Sequence, residues 1–295
     1  MKSAQLLKKR KNLMPYLMVL PTVLFVTGIL GYAILVALKD SFFKYPLLSF
    51  NARGTFVGFD NYIRLVSEPN FQNSVKITFI FVFGSVILGI ILSFILALSI
   101  YQLKAKARIF RTLTLIPYLI SGVAAAIMWR FLFNGEVGLI NHIIYLTGGN
   151  QVRWLSNRSL SLMVVTLANA WKMFPMSTML LLAGLQVIDP DIYDAATVDG
   201  SNAFATFFKI TLPLLGTYLA SSLIWLTFGS FNMFDIIYPL TSGGPNRATE
   251  VMAVYMYDLA FKELDFSSAS GVMIFLLMLN LAFSVFYSRV FKNKV

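Results

Sequence analysis

Long stretches of the chain carry no charged side chain. Leu13–Leu38 and Ile77–Leu103 are charge-free throughout. Thr112–Trp129 is a shorter run bounded by Arg111 and Arg130, and Ser159–Ile188 is interrupted only by Lys172. Ile210–Ile237 is clean until Asp235, and Ser267–Ser288 is clean throughout. A helix needs about 20 mostly apolar residues to cross the hydrocarbon core. None of these runs shows the turn-punctuated alternation of about ten residues that marks membrane β-strands, so helices are the expected spanning form. The pattern predicts an all-α integral membrane protein with six transmembrane helices over 13–38, 77–103, 112–129, 159–188, 210–237 and 267–288. They form one membrane domain, 13–295, behind a basic tail, 1–12.

Composition agrees. Of 295 residues, 58% are hydrophobic and 13% charged, against about 25% charged in an ordinary soluble domain. That excess of apolar surface excludes a water-facing globule, and it excludes disorder as well. There is no cysteine, hence no disulfide, thiolate nucleophile or Cys-ligated metal. The net charge of +11 is distributed as membrane orientation requires rather than as a nucleic-acid patch. Lys2, Lys8, Lys9, Arg10 and Lys11 fill the tail, Lys104, Lys106, Arg108 and Arg111 fill the second connection, and Arg289, Lys292 and Lys294 follow the last span. All three groups fall on one side of a six-span chain, so both termini are expected in the cytoplasm. The opposite loops, 39–76, 130–158 and 238–266, are longer and mixed, and the last is net acidic. The first apolar run, 26 residues long, exceeds the h-region of a secretory signal and reads as an uncleaved helix.

One cytoplasmic segment breaks the charge rule. Between spans four and five, in loop 189–209, Asp189, Asp191, Asp194 and Asp199 face a single Lys209. Asp189 suits a helix N-cap, Pro190 the first helical position and Gly200 the C′ stop; Ser201 or Asn202 suits the cap of a second helix that runs until Pro213 opens the next span. Ala195 and Ala196 leave a smooth surface on which another backbone can approach. The stretch Asp194-Ala195-Ala196-Thr197-Val198-Asp199-Gly200, followed by Phe208-Lys209-Ile210-Thr211-Leu212-Pro213, resembles the EAA loop of binding-protein-dependent ABC importer permeases. The resemblance implies the type I permease fold, with this loop as a coupling helix docking in a cleft of a cytoplasmic ATPase. It assigns the contact to Tyr193, Asp194, Ala195, Ala196, Asp199, Gly200 and Ser201. Asp194 departs from the Glu usual in the family, which keeps the carboxylate and shortens its reach.

Two more stretches resemble carbohydrate importers of the maltose and glycerol-phosphate type. They are Phe231-Asn232-Met233-Phe234-Asp235 with Tyr238-Pro239-Leu240-Thr241-Ser242-Gly243-Gly244-Pro245, and Pro117, Trp129, Phe133 and Gly138-Leu139-Ile140-Asn141. The resemblance implies a second, different permease, two cytoplasmic ATPase subunits, an extracytoplasmic solute-binding protein and a carbohydrate cargo. It places the chain in a bacterial or archaeal cytoplasmic membrane. No Gly-x-x-x-x-Gly-Lys-Ser/Thr loop occurs, so the subunit is read as non-enzymatic, without a cofactor of its own; ATP and Mg belong to the partner ATPases.

A sugar leaving water needs replacement hydrogen bonds, so polar side chains within the spans are the candidate pathway. Span four supplies Asn169, Trp171 and Lys172, with Pro175 as a kink; span five supplies Trp225, Asn232 and Asp235. An unpaired ammonium at Lys172 costs at least ~2.5–3.5 kcal/mol at membrane depth. Two readings stay open. Lys172 lines the pathway or pairs with Asp235 to shape it, or it is a helix–helix strut or snorkels. Trp225, like the other aromatics, is read first as packing and second as pathway. His142 reads as a solvated loop residue. In loop 238–266, Thr249 is expected to cap a helix over Glu250–Phe261, either a docking platform for the binding protein or a re-entrant piece. The alternative function, an ion-coupled secondary transporter, would want intramembrane carboxylates, and only Asp235 qualifies.

Overall fold

The computed structural model describes residues 14–45, 54–103 and 106–292. The tail 1–12, Leu13, Lys104 and Lys294 lie outside the described residues. Three helical stretches are each long and apolar enough to cross a bilayer: Tyr16–Ser41, Pro69–Gln102 and Phe266–Phe291. Three bent pairs pass the same test when each is taken together.

The first span is α1 (Met14–Val26), a π-helical turn (Thr27–Gly31) and α2 (Tyr32–Ser41). It buries only Ala37 and Ser41, and α2 lies along the last helix. A two-stranded antiparallel ribbon follows, β1 (Phe43–Lys44) against β2 (Thr55–Phe56), with Phe43 opposite Phe56, and then α3 (Asp60–Ser67). The second span, α4 (Pro69–Gln102), begins eight residues before the expected Ile77 because Pro69 sits at its first turn and starts the helix in the polar flank.

The third expected span, 112–129, is not one helix. α5 (Ala107–Leu119) and α6 (Gly122–Leu132) meet at 92°. Pro117 removes one amide donor from the last turn of α5, Ile120 and Ser121 are extended, and the Ser121 hydroxyl accepts from the Ala124 amide, starting a new helix. After α7 (Leu139–Leu146), the fourth span is α8 (Arg158–Val187), as expected, and it turns by 71° into α9 (Pro190–Val198).

The fifth expected span, 210–237, is corrected at both ends. The stretch α10 (Ala203–Thr206), a π-helical turn (Phe207–Thr211) and α11 (Leu212–Leu214) runs straight through Pro213. The chain bends by 78° only at Leu215, after which α12 (Gly216–Phe231) begins. Pro213 withholds one amide donor from the turn behind it, and that turn, Phe207–Thr211, is π-helical rather than α-helical. α12 stops at Phe231, and α13 (Ile237–Thr241) and α14 (Met252–Phe261) precede the last span, α15 (Phe266–Lys292).

The core lies between α4, α8 and α12. Phe81, Val164, Val165, Ala168, Leu226 and Phe231 are almost fully buried there. A second cluster at the other end of α8 gathers Ala97, Ile100, Leu181, Leu185 and Leu215. Close approach depends on glycine: a Cβ on Gly184 of α8 would stand 2.6 Å from both Leu215 and Tyr218, whereas one on Gly28 would meet nothing within 4 Å. Replacing Gly184 by valine is therefore expected to cost roughly 1–3 kcal/mol and to lower the thermal midpoint of the solubilised protein. Gly28→Ala should leave that midpoint unchanged. Fluorescence-detected thermal melts of both variants check this, and equal midpoints would refute the close-packing account.

Candidate functional site

α9 is built by its two ends. Asp189 Oδ1 accepts from the Asp191 amide at 3.0 Å, Pro190 takes the first helical position, and Asp191 sits in the first turn. At the far end Gly200 has φ +73°, its amide donates to Thr197 O at 3.1 Å, and the Ser201 amide donates to Ala196 O at 2.9 Å. These two bonds form a Schellman stop that a left-handed residue alone completes. Asn202 then caps α10 by accepting from the Ala205 amide at 2.8 Å, and the Ser201 hydroxyl accepts from Thr206.

The helix has an inner and an outer face. Tyr193 packs on the Leu181–Leu215 cluster, and its hydroxyl accepts from Thr211 at 3.3 Å. Ala196 is buried, so the expected smooth Ala195–Ala196 surface is corrected: three residues after Tyr193, Ala196 shares its packed face, and Ala195 alone is left outside. Asp194, Asp199 and Gly200 are exposed. So are Val198 at 88% and Phe204 at 74%, with Phe204 and Phe208 rings 4.5 Å apart. The outer face therefore combines two carboxylates with unshielded apolar groups. The sequence marked Val198 only as part of the EAA-like stretch; its exposure follows from its place in the last turn of α9, before the Gly200 stop.

The candidate pathway residues divide. Asn169 is fully buried and donates through Nδ2 to the Ser230 hydroxyl of α12 at 2.8 Å, while its Oδ1 finds no partner. The indole N–H of Trp225 is likewise buried without an acceptor, and its ring lies 5.9 Å from that of Tyr118. Trp171 stands edge-on to Trp129 at 6.0 Å, and Trp129 stacks on Phe133 at 5.5 Å. Asn232 is exposed and donates back to Phe228 O at 2.8 Å, which ends α12 rather than facing the other polar groups.

Lys172 and Asp235 do not pair. The Lys172 ammonium, on a side chain 8% exposed, donates to the carbonyls of Ile120 and of Tyr118, the latter at 3.4 Å. Asp235 is exposed and its carboxylate lies on Gly122, where an added Cβ would overlap Oδ2. Both charges thus sit at the break between α5 and α6, on opposite sides of it. The break itself was missed in the sequence. Its signal was available in the order Pro117, Ser121, Gly122, a helix breaker followed by a cap and a first residue with no side chain.

In the loop beyond α13, Thr249 does not cap the next helix. Its hydroxyl bonds Gly244 O at 2.8 Å and the Thr241 hydroxyl at 2.6 Å, closing the turn. α14 instead starts at Met252, whose amide donates to Thr78 of α4 at 2.8 Å. A neighbouring helix thus supplies the cap. Glu250 is buried and accepts both carboxylate bonds from Arg247 at 2.9 and 3.0 Å. Burial pushes its carboxyl above the usual range, and Arg247 pulls it back. His142 lies in α7, not in a loop, and is exposed; its neighbour Asn141 is buried, bridging Gly135, Val152 and Trp154.

Residues 85–293 match the model of the family described as binding-protein-dependent transport system inner membrane component. The chain is 35% identical over 288 residues to the trehalose/maltose transport system permease protein MalF of Thermococcus litoralis, covering 96% of this chain and 95% of that one. It is 30% identical over 293 residues to the sn-glycerol-3-phosphate transport system permease protein UgpA of Pectobacterium atrosepticum, covering 97% and 96%. Among solved structures, a chain of the bacterial alginate ABC transporter in complex with alginate pentasaccharide-bound periplasmic protein superposes with a TM-score of 0.78 at 23% identity, over 95% of this chain and 96% of that one. The ion-coupled alternative is set aside. A chain with this sequence match, running almost end to end along permease relatives, belongs to the family of binding-protein-dependent transport system inner membrane components, the permease subunits of ABC importers.

Proposed function

We propose that this permease subunit carries a sugar across a bacterial or archaeal cytoplasmic membrane. In this reading each bent pair contributes one span, giving six, with both termini and α9 on the cytoplasmic side. A second permease completes the pore, two ATPase subunits bind and hydrolyse ATP with Mg, and an extracytoplasmic solute-binding protein delivers the cargo. α9 is the lever. The observation that carries the reading is the two-faced build of that helix: Tyr193 and Ala196 are packed into the bundle, while Asp194, Ala195, Asp199 and Gly200, with Ser201 beside them, are offered outward. ATP-driven closure of the ATPases pushes the outer face, and the packed inner face carries the displacement to α8 and α12. Binding of a loaded receptor outside biases the same equilibrium.

The sugar reading is supported by the relative named for trehalose and maltose and by the wall between α8 and α12. Asn169 Oδ1 and Trp225 Nε1 are an acceptor and a donor without partners, and a buried polar atom left unmatched costs about 1–3 kcal/mol. A cargo hydroxyl satisfies either one as the helices rock. In this reading Trp171 and Asp235 extend this wall toward the extracytoplasmic end, Asn232 is turned back on α12, and Lys172 stands at the break beside it.

Reversing Asp194 and Asp199 to lysine together with Gly200→Val is expected to weaken ATPase association and receptor-stimulated ATP hydrolysis by roughly tenfold or more. Co-purification and ATPase assays on the assembled transporter measure both, and wild-type values would remove α9 from the coupling path. At the wall, Trp225→Phe deletes an unmatched donor together with part of a packed ring, so the melting temperature is expected to fall by a few degrees at most. Sugar uptake should nevertheless fall roughly three- to tenfold, the worth of about one hydrogen bond. Asn169→Ala should show the same loss of uptake in proteoliposomes. Uptake unchanged in both variants would assign the two atoms to packing.

A further inference from the structure

Lys172 and Asp235 each answer one end of the break in the third span. The last carbonyls of α5 carry the negative end of that helix, and Lys172 donates to two of them. The first amides of α6 make a positive end, and Asp235 lies on Gly122, the first residue of that helix. The residue there is glycine, and a Cβ would evict the carboxylate. Ammonium and carboxylate therefore neutralise opposite ends of one 92° break rather than each other.

This arrangement bears on the charge of what passes. In transporters with interrupted helices, a half-helix N-terminus is where anionic substrate groups bind. Here the chain's own carboxylate holds that place. Lys172 is committed to carbonyls, and none of the three ion pairs among the described residues involves either charge. The other unmatched polar atoms of the wall, Asn169 Oδ1 and Trp225 Nε1, are uncharged. An anion arriving here meets an exposed carboxylate, with the Lys172 ammonium buried and turned to backbone carbonyls, whereas a hydroxyl meets one acceptor and one donor. We propose that Asp235, seated on Gly122 and balanced across the break by Lys172, sets the cargo charge of this subunit, admitting uncharged sugars and excluding anionic ones. The proposal rests on the sugar-importer reading and narrows it, since the relatives are named for trehalose and maltose in one case and for glycerol phosphate in another.

The absence of cysteine makes the local field measurable. Val123, half-exposed in the first turn of α6, is replaced by cysteine in the assembled transporter, its partner subunits stripped of reactive thiols. Labelling rates are compared for the cationic 2-(trimethylammonio)ethyl and the anionic 2-sulfonatoethyl methanethiosulfonates, each normalised to its rate with a free thiol. The expected result is a preference for the cation of roughly tenfold, collapsing toward one in Asp235→Asn and growing in Lys172→Met. A ratio near one at the outset, or one that Asp235→Asn leaves unchanged, overturns the proposal; should Lys172→Met fail to assemble, the Asp235→Asn arm decides. Calorimetry of the cognate binding protein with trehalose, maltose, glucuronate and sn-glycerol 3-phosphate supplies the second arm. Binding confined to the uncharged sugars supports the proposal. Tight binding of glucuronate or glycerol phosphate overturns it and leaves the importer reading intact. Binding of none of the four removes the sugar reading and the proposal with it.

Discussion

A helix end in hydrocarbon has no water to satisfy it, so any interruption of a span must be answered by groups from the same fold. The third span shows how much depends on this rule. Its break leaves terminal carbonyls on one side and terminal amides on the other. Lys172 of α8 donates to the first set, while the Ser121 hydroxyl takes the Ala124 amide of the second and Asp235, from the segment after α12, lies against Gly122. Three separate elements are thereby tied to one point.

The same economy of contacts joins the two ends of the molecule. α8 runs from the larger core, through Asn169 and Lys172, to the cluster on which Tyr193 rests. Gly184 lets α12 come close to it at that lower end, and the bond from Asn169 to Ser230 ties the pair higher up. A displacement of α9 has little soft material to disappear into. The route proposed for coupling is this continuity of packed helix, with the break between α5 and α6 beside its middle.

Much of this was legible in the sequence, and most of what was not has a common cause. Charge-free runs gave the positions of α4, α8 and α15, because desolvation acts on each residue of a span separately. Caps were legible for the same reason: Asp189, Gly200 and Asn202 act within three residues of themselves. The break after Pro117 had a local signal that the charge-free run hid, whereas other misread features involved a partner distant in the chain. Thr249 looked like a cap, but Thr78, 174 residues away, supplies it. Lys172 and Asp235 looked like each other's partners because no sequence rule shows where a backbone carbonyl will be. Pro213 looked like a boundary, yet the bend came two residues later, where Leu215 is buried under α8. The resemblance to carbohydrate permeases was right for the family, and the side-chain assignments within it needed coordinates.

The first span adds a different kind of dependence. Tyr16–Ser41 has 26 residues, about 39 Å of helix at 1.5 Å per residue, against roughly 30 Å of hydrocarbon. It is anchored only near its C-terminal end, by Ala37 and Ser41. The surplus length can be taken up by tilt, by a bend or by local thickening of the bilayer, and packing against neighbouring helices sets which. Hydrophobic mismatch thus bears most on the N-terminal part of this rod, where its side chains are exposed.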